Sequence, residues 1–356
     1  MINSPLLKIS LTAVVDNFLL IKKRLNPACE MAGVVKANAY GLGVDKVAPV
    51  LYAQGCRRFF VATPEEGIAL RALLADISIF VFGGFRRGAE DSYLSHNLVP
   101  VLNSRDDITR FKKTGGGACA LFFDTGMNRL GLEEGDVEYF SRHPDFIGDL
   151  NVEMIISHFA CADEEHPKNE EQYRAFEKIA ALFPHIPKSL SNSSGIFRDD
   201  RFHFDIVRPG MALYGLNPLP EKPNHMHPVV SLETPVLQVR SVKKGETIGY
   251  GASYTFKKDS TIAVVALGYA DGISRAFSNN GALYFNNMRL PVRGRVSMDF
   301  LTVEIDDLPE AQRPQPGDML EVMGPNQSAD DLARDAGTIG YEILTSLGQR
   351  YQRIYT

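Results

Sequence analysis

Cysteine is scarce: four residues in 356, Cys29, Cys56, Cys119 and Cys161, at wide and irregular intervals. That is neither a zinc spacing nor the dense disulfide framework of a small secreted domain, and it points to a reduced, cytoplasmic chain. No apolar run is long enough to span a bilayer, so no membrane partner is expected. The N-terminal stretch has an apolar patch, but Asp16 interrupts it and no small-residue cleavage site follows, which argues against a signal peptide. Leu11, Val14, Val15, Phe18, Leu19 and Leu25 instead fall on one helical face, with Ser10 as N-cap. Basic residues are scattered over a chain of net charge −5, so no nucleic-acid footprint shows. The runs Lys22-Lys23-Arg24 and Lys112-Lys113 read as solvated helix ends. Prolines and glycines are dispersed, which argues against low-complexity linkers, and no internal repeat is visible. His225 and His227 form an H-x-H pair without an acidic or cysteine partner nearby, so no metal site is expected.

What is present is a chain too long for one ordinary compact domain, with an apolar share of 44% that can fill a sizeable core. Its first two thirds alternate short apolar runs with helix-length stretches. The runs at 32–36, 58–63, 77–83, 98–102, 118–124, 152–158, 188–192 and 204–210 read as strands. Eight strands with intervening helices predict an α/β fold, a (β/α)8 barrel of the TIM type. The helix between the last two strands is the least evident. After Gly215 a proline-rich stretch reads as a connection, and β-type runs separated by KKGE, SNNG and QPGD follow. The expected organisation is a barrel over 1–229 and a mostly β domain over 230–356.

Several barrel strands end in a chemically capable side chain: Lys36, Asp124, His158, Asn192 with Ser193, and Arg208. C-terminal strand ends form the active-site mouth of such barrels, so these residues would converge there. Turn formation explains the Asp and Asn, but not a Lys, a His and an Arg together. A lysine at a strand end usually snorkels or pairs with an acid; a functional one is a desolvated amine that forms a Schiff base, its pKa drawn below about 10.4. Gly41 and Gly43 would turn the chain tightly into the next helix. Loops after strands seven and eight commonly bind phosphate, and here they offer the Ser193 hydroxyl and the N–H groups of Gly210 and Met211.

The fragments VVKANAYGLG, DTGMNRLG, RPGMALYG, GYGASY, GYADG and GRVSMD, in this order, resemble the motif series of bacterial alanine racemases. The resemblance runs from about Lys36 to Tyr341. It implies a pyridoxal 5′-phosphate enzyme interconverting L- and D-alanine, usually for peptidoglycan, in a homodimer with shared active sites. By that resemblance Lys36 carries the cofactor and is the base on one face, and Tyr250 of the other subunit is the base on the opposite face. His158 and Arg208 match residues hydrogen-bonded toward that tyrosine, and Arg208 matches the arginine facing the pyridine nitrogen. Tyr40 and Ser193 match phosphate contacts. Arg129 matches the contact to the cofactor's phenolic oxygen and the substrate carboxylate, and Met298 a backbone contact from the partner. Tyr269, Arg275, Arg295 and Asp299 match residues of the substrate's access path.

Two departures from the family pattern stand out. Many relatives have a carbamylated lysine two residues before the DTGM aspartate, bracing the arginine; this chain has Phe122, so Asn128, water or an anion would have to orient Arg129. Gln349 aligns with a tyrosine that constricts the site in some relatives, which leaves room for a broader amino-acid racemase. A lone barrel that binds pyridoxal phosphate without catalysis would lack the Tyr250 segment. A decarboxylase of the same barrel type would need an acid in place of Arg208 and a cysteine after Cys161, and the chain has neither.

Overall fold

The computed structural model describes residues 4–356. The first strand, Leu6–Ile9 (β1), leads through Ser10 into the helix Leu11–Arg24. Ser10 Oγ accepts a hydrogen bond from the Ala13 N–H at 3.2 Å, the expected cap. Lys22, Lys23 and Arg24 occupy the last turn, where the helix dipole favours cations.

Residues 14–213 and 217–226 form one compact unit. Its eight parallel strands are Glu30–Val34 (β2), Arg58–Val61 (β3), Ser78–Val81 (β4), Leu98–Leu102 (β5), Ala118–Phe122 (β6), Asn151–Ile156 (β7), Lys188–Ser189 (β8) and Ile206–Val207 (β9). They pair in sequence from β2 to β8, and β9 returns to β2 with Glu30 opposite Ile206. A bridge between Asn192 and Arg208 joins β8 to β9 and closes the barrel. Strands buried on both faces read as continuous apolar runs, which is why they were visible in the sequence. Phe60 stacks between Phe80 and Phe82, with ring centroids 4.8 and 4.6 Å away. Helices follow the strands, among them Val44–Ala53, Pro64–Leu73, Arg105–Lys113 and Pro167–Leu182. The doubtful last one exists as the short helix Ser193–Arg198, capped by Asn192 Oδ1 on the Gly195 N–H at 2.9 Å.

The second unit is mostly β. Its spine is the 13-residue strand Val230–Val242 (β10). Thr247–Ile248 (β11) and Tyr254–Thr255 (β12) form a small hairpin. Ser260–Val265 (β13), Ala282–Phe285 (β14), Met288–Pro291 (β15), Leu301–Glu304 (β16), Met319–Met323 (β17) and Gln352–Tyr355 (β18) complete it. β10 pairs antiparallel with β13 and β17. Where the sequence assigns residues 1–229 to the barrel, β1 pairs instead with β10 and, in parallel, with β18. Four residues of the pattern Leu-Leu-Lys-Ile carry no mark of which sheet they will join. Two helices, Ala329–Ala336 and Gly340–Thr345, were also not anticipated.

Candidate active site

β2 ends at Val34, and the chain then enters the helical turn Lys36–Tyr40, which winds the wrong way for L-residues. Ala37, Asn38, Ala39 and Tyr40 have φ between 53° and 56°. This conformation costs roughly 1–2 kcal/mol per ordinary residue, and a run of it persists only where the surroundings over-determine it. Here the Gly41 N–H donates to Ala37 O at 2.7 Å, and the Val44 N–H to Asn38 Oδ1 at 2.8 Å. The Ala37 N–H donates to Glu66 Oε1 at 2.7 Å. Gly41 (φ 84°) and Gly43 (φ 97°) complete the tight passage into the next helix, as expected. Lys36 is half-buried, and burial, then the Arg129 cation, lower its amine's pKa, while Glu66 opposes the shift. With Phe82, Phe122, Arg129 and His158 it lines a cavity of about 260 Å³.

Arg208 is buried and does not pair with Asp205, whose carboxylate accepts the Lys188 N–H instead. Its Nη1 donates to Ser189 O at 2.8 Å and to Ser189 Oγ at 2.5 Å, and its Nη2 to Ser157 O at 2.6 Å. Burial pulls its pKa down to about 9, still above neutrality, so the guanidinium keeps its charge. Its Nε is buried with no hydrogen-bond partner. Nη2 also lies 3.3 Å from His158 Nδ1. An arginine can only donate, so Nδ1 accepts from it, while Asn192 Nδ2 lies 3.5 Å from Nε2 on the other side of the ring. Burial first, then Arg208, Arg129 and Lys36, drive the pKa of His158 well below its usual value. The imidazole is neutral.

Beyond β8 and β9 the backbone builds a cradle. The N–H groups of Gly210 and Ala212 both donate to Ser193 Oγ, at 2.9 and 3.3 Å. A Cβ on Gly210 would collide with the Tyr40 hydroxyl, so that hydroxyl lies against the same loop. With both N–H groups given to its oxygen, the Ser193 O–H is left to donate outward, and together with the Tyr40 hydroxyl it suits an anion. Met211, expected to offer its N–H here, is buried in the same loop.

Arg129 is exposed, and among the described residues no acid or carbonyl holds its guanidinium. The Phe122 ring is buried beside it in the cavity wall and offers nothing to brace it. Asp124 turns out to be a turn former: its Oδ1 accepts the N–H groups of Gly126 and Met127, both at 2.8 Å.

The other expected residues lie on the β unit. Tyr250 sits at the tip of the β11–β12 hairpin with 73% of its surface exposed. A Cβ on the neighbouring Gly251 would fall 2.6 Å from the Arg295 guanidinium, so Arg295 lies over that tip. The Tyr269 N–H donates to Ser297 O and the Ala270 N–H to Met298 O, both at 3.0 Å, which brings Tyr269 and Met298 together. Arg275 reaches the same region through Ser278, which accepts the Val296 N–H and donates to Arg275 O. Asp299 accepts from Arg350 Nη1 at 2.7 Å, and Arg350 also grips Asp271 through Nε and Nη2. Gln349, beside it, is exposed. The expected residues thus gather as two groups, one on each unit.

Sequence reasoning missed four contributors. Ser157 and Ser189 hold the Arg208 fork, and nothing in their local sequence marks them. Buried Gln172 donates to His158 O and Thr125 Oγ1 and accepts the Ala160 N–H. Glu66 had a visible signal, because Thr63-Pro-Glu-Glu66 reads as a capping box, yet its carboxylate goes elsewhere.

Comparisons with known proteins give the family. The model of the alanine racemase N-terminal domain matches residues 9–218, and that of the C-terminal domain residues 229–355. The alanine racemase of Rhodospirillum rubrum is 46% identical over 359 residues, spanning 99% of this chain and 96% of that protein. A catabolic alanine racemase of Agrobacterium fabrum is 44% identical, over 98% of this chain and 91% of its own length. The crystal structure of alanine racemase from Bartonella henselae, with covalently bound pyridoxal phosphate, superposes with a TM-score of 0.95 at 39% identity, covering 99% of both chains. With both family models matched, over residues 9–218 and 229–355, and a relative 46% identical along almost its whole length, this chain belongs to the alanine racemase family of isomerases.

Proposed function

We propose that this chain interconverts L- and D-alanine on pyridoxal phosphate, as a cytoplasmic homodimer whose D-alanine feeds peptidoglycan assembly. One observation carries the reading: the half-buried Lys36 amine shares a cavity with a neutral His158, itself backed by an arginine whose buried Nε has no partner. The residues fit the cofactor. Tyr40 and Ser193 would hold its phosphate, with the Gly210 N–H holding the Ser193 oxygen in place, Met211 would wall the same loop, and Arg208 Nε would donate to its ring nitrogen. When bound, the cofactor supplies the electron sink that makes the α-proton removable.

The chain's own groups handle the protons. The Lys36 amine takes the α-proton on one face, and the phenol of Tyr250 from a second copy returns one on the other, which inverts the centre. A free phenol, with pKa about 10, is a poor base near neutrality. His158, its Nδ1 engaged by Arg208, offers an Nε2–H to the phenolate, and the charge of Arg208 behind it favours that form. Arg208 does not surrender its proton, so it keeps the electron sink weak and favours prompt return of a proton over transamination. Arg129 is open to the substrate carboxylate, with the Met298 backbone of the second copy as a further contact. Tyr269, Arg275, Arg295 and Asp299 line the access path.

The test is a racemisation assay with each enantiomer of alanine and of serine in deuterium oxide, with the visible absorbance of the loaded protein followed. Alanine turnover with deuterium at the α-carbon of both enantiomers is expected. A protein that takes up the cofactor yet exchanges no α-proton would overturn the proposal.

A further inference from the structure

The left-handed turn holds both ends of the proposed cofactor site: Lys36 opens it and Tyr40 closes it. Four residues in that conformation need an external grip, and the geometry points to one. The carboxylate of Glu66, on the helix Pro64–Leu73, accepts the Ala37 N–H on Oε1 and the Ala62 N–H on Oε2, both at 2.7 Å. Ala37 is the first of the four left-handed residues, and Ala62 directly follows β3. In an ordinary capping box this glutamate would fold back on the N–H of its own N-cap, Thr63. Thr63 does its half, accepting the Glu66 N–H at 3.3 Å. The glutamate instead spends both oxygens on tying the mouth of β2 to that of β3.

We infer that Glu66 is the positioning residue for Lys36 and Tyr40: it clamps the left-handed turn and so fixes the spacing between the cofactor's amine and phosphate anchors. This role rests on the reading of Lys36 as the cofactor lysine. The charge matters as well as the bonds, because both N–H groups need an acceptor and only a carboxylate presents two. Glutamine would keep one bond and face the other N–H with its own amide. The ionisable groups that face the lysine amine are Arg129, Glu66 and His158. Glu66 is the one that favours the protonated amine.

The experiment compares Glu66→Gln, Glu66→Ala, Thr63→Ala and Lys36→Ala in the full chain. Amide hydrogen exchange over residues 36–43, with and without pyridoxal phosphate, reads the turn itself. Both Glu66 variants should exchange there roughly tenfold faster or more, as expected for loss of a charge-assisted hydrogen bond. Thr63→Ala, which weakens the helix cap and leaves the clamp, should not. Cofactor dissociation should accelerate in parallel. In Glu66→Gln the pH dependence of Schiff-base formation between the apoprotein and pyridoxal phosphate, followed by visible absorbance, should move to lower pH, because the amine loses the carboxylate that favours its protonated form; loosened packing alone would not cause that displacement. Glu66 variants with exchange and cofactor release within about twofold of the parent would overturn the role of Glu66 alone. A Lys36→Ala protein that still gives a borohydride-reducible adduct would remove the lysine from the site, and the proposed role of Glu66 with it.

Discussion

His158 faces three cations, Arg208, Arg129 and Lys36, and each adds to burial in keeping the imidazole neutral. The same crowding makes the fold sensitive to acid. The unfolded chain protonates this histidine at about pH 6.5, whereas the folded protein resists until well below that. As pH falls through this window the unfolded state binds the extra proton, so the contribution of neutral His158 to stability is whole above about 6.5 and is lost toward the lower folded value. His158→Asn should therefore lose less stability than the parent between neutral and mildly acidic pH. Thermal unfolding midpoints of both proteins across that range measure it; parallel curves would contradict the neutral assignment. Arg208 lives under the opposite rule. It is more deeply buried than His158 but stays charged, because a fork of N–H groups finds carbonyl and hydroxyl oxygens at the ends of two strands. The residue type was legible in the sequence, but not that fork, since Ser157 and Ser189 lie 51 and 19 residues away from it.

The elements that build the mouth were legible to different degrees. β2 to β7 were visible within a few residues, because strands buried on both faces are unbroken apolar runs. β8 and β9 were expected to be longer, at 188–192 and 204–210, and each pairs over two residues only. Their polar ends leave the ladder to form the Ser193 and Gly210 cradle and the Arg208 fork, so function shortens the strands. The left-handed turn was not legible at all. Ala-Asn-Ala-Tyr contains no glycine, and the carboxylate that over-determines the turn lies 29 residues downstream. The cradle carries its own prediction. Gly210 has an ordinary backbone conformation, so Gly210→Ala strains nothing locally; its Cβ displaces the Tyr40 hydroxyl instead. Pyridoxal phosphate should bind roughly tenfold more weakly, about the value of one hydrogen bond to a charged group. In a Tyr40→Phe background, which removes the oxygen that is struck, the same substitution should cost much less. Cofactor titrations of the four proteins close this cycle, and strictly additive losses would show that the two groups do not share a site.

At the scale of the whole molecule, the proposed chemistry needs two faces and the chain supplies its bases from two units. Lys36 belongs to the barrel, and Tyr250 stands exposed at the tip of a hairpin of the β unit, which also exposes Tyr269, Met298 and Phe300. Large apolar side chains exposed in this way suit contact with another chain. If each site draws its lysine from one copy and its tyrosine from the other, the two bases can be lost on separate chains and regained together. In a heterodimer of Lys36→Ala with Tyr250→Phe, one site inherits both defects. The other combines the intact Lys36 of the second parent with the intact Tyr250 of the first. Random re-association should then return about a quarter of parental racemisation, since half the dimers are mixed and each has one good site. If every site were built within one chain, each would carry one defect and no mixture could recover. The comparison requires subunit exchange to be demonstrated, with differently tagged parents isolated as a mixed species. In that species, activity near half the parental value supports shared sites, and activity no higher than that of either parent refutes them.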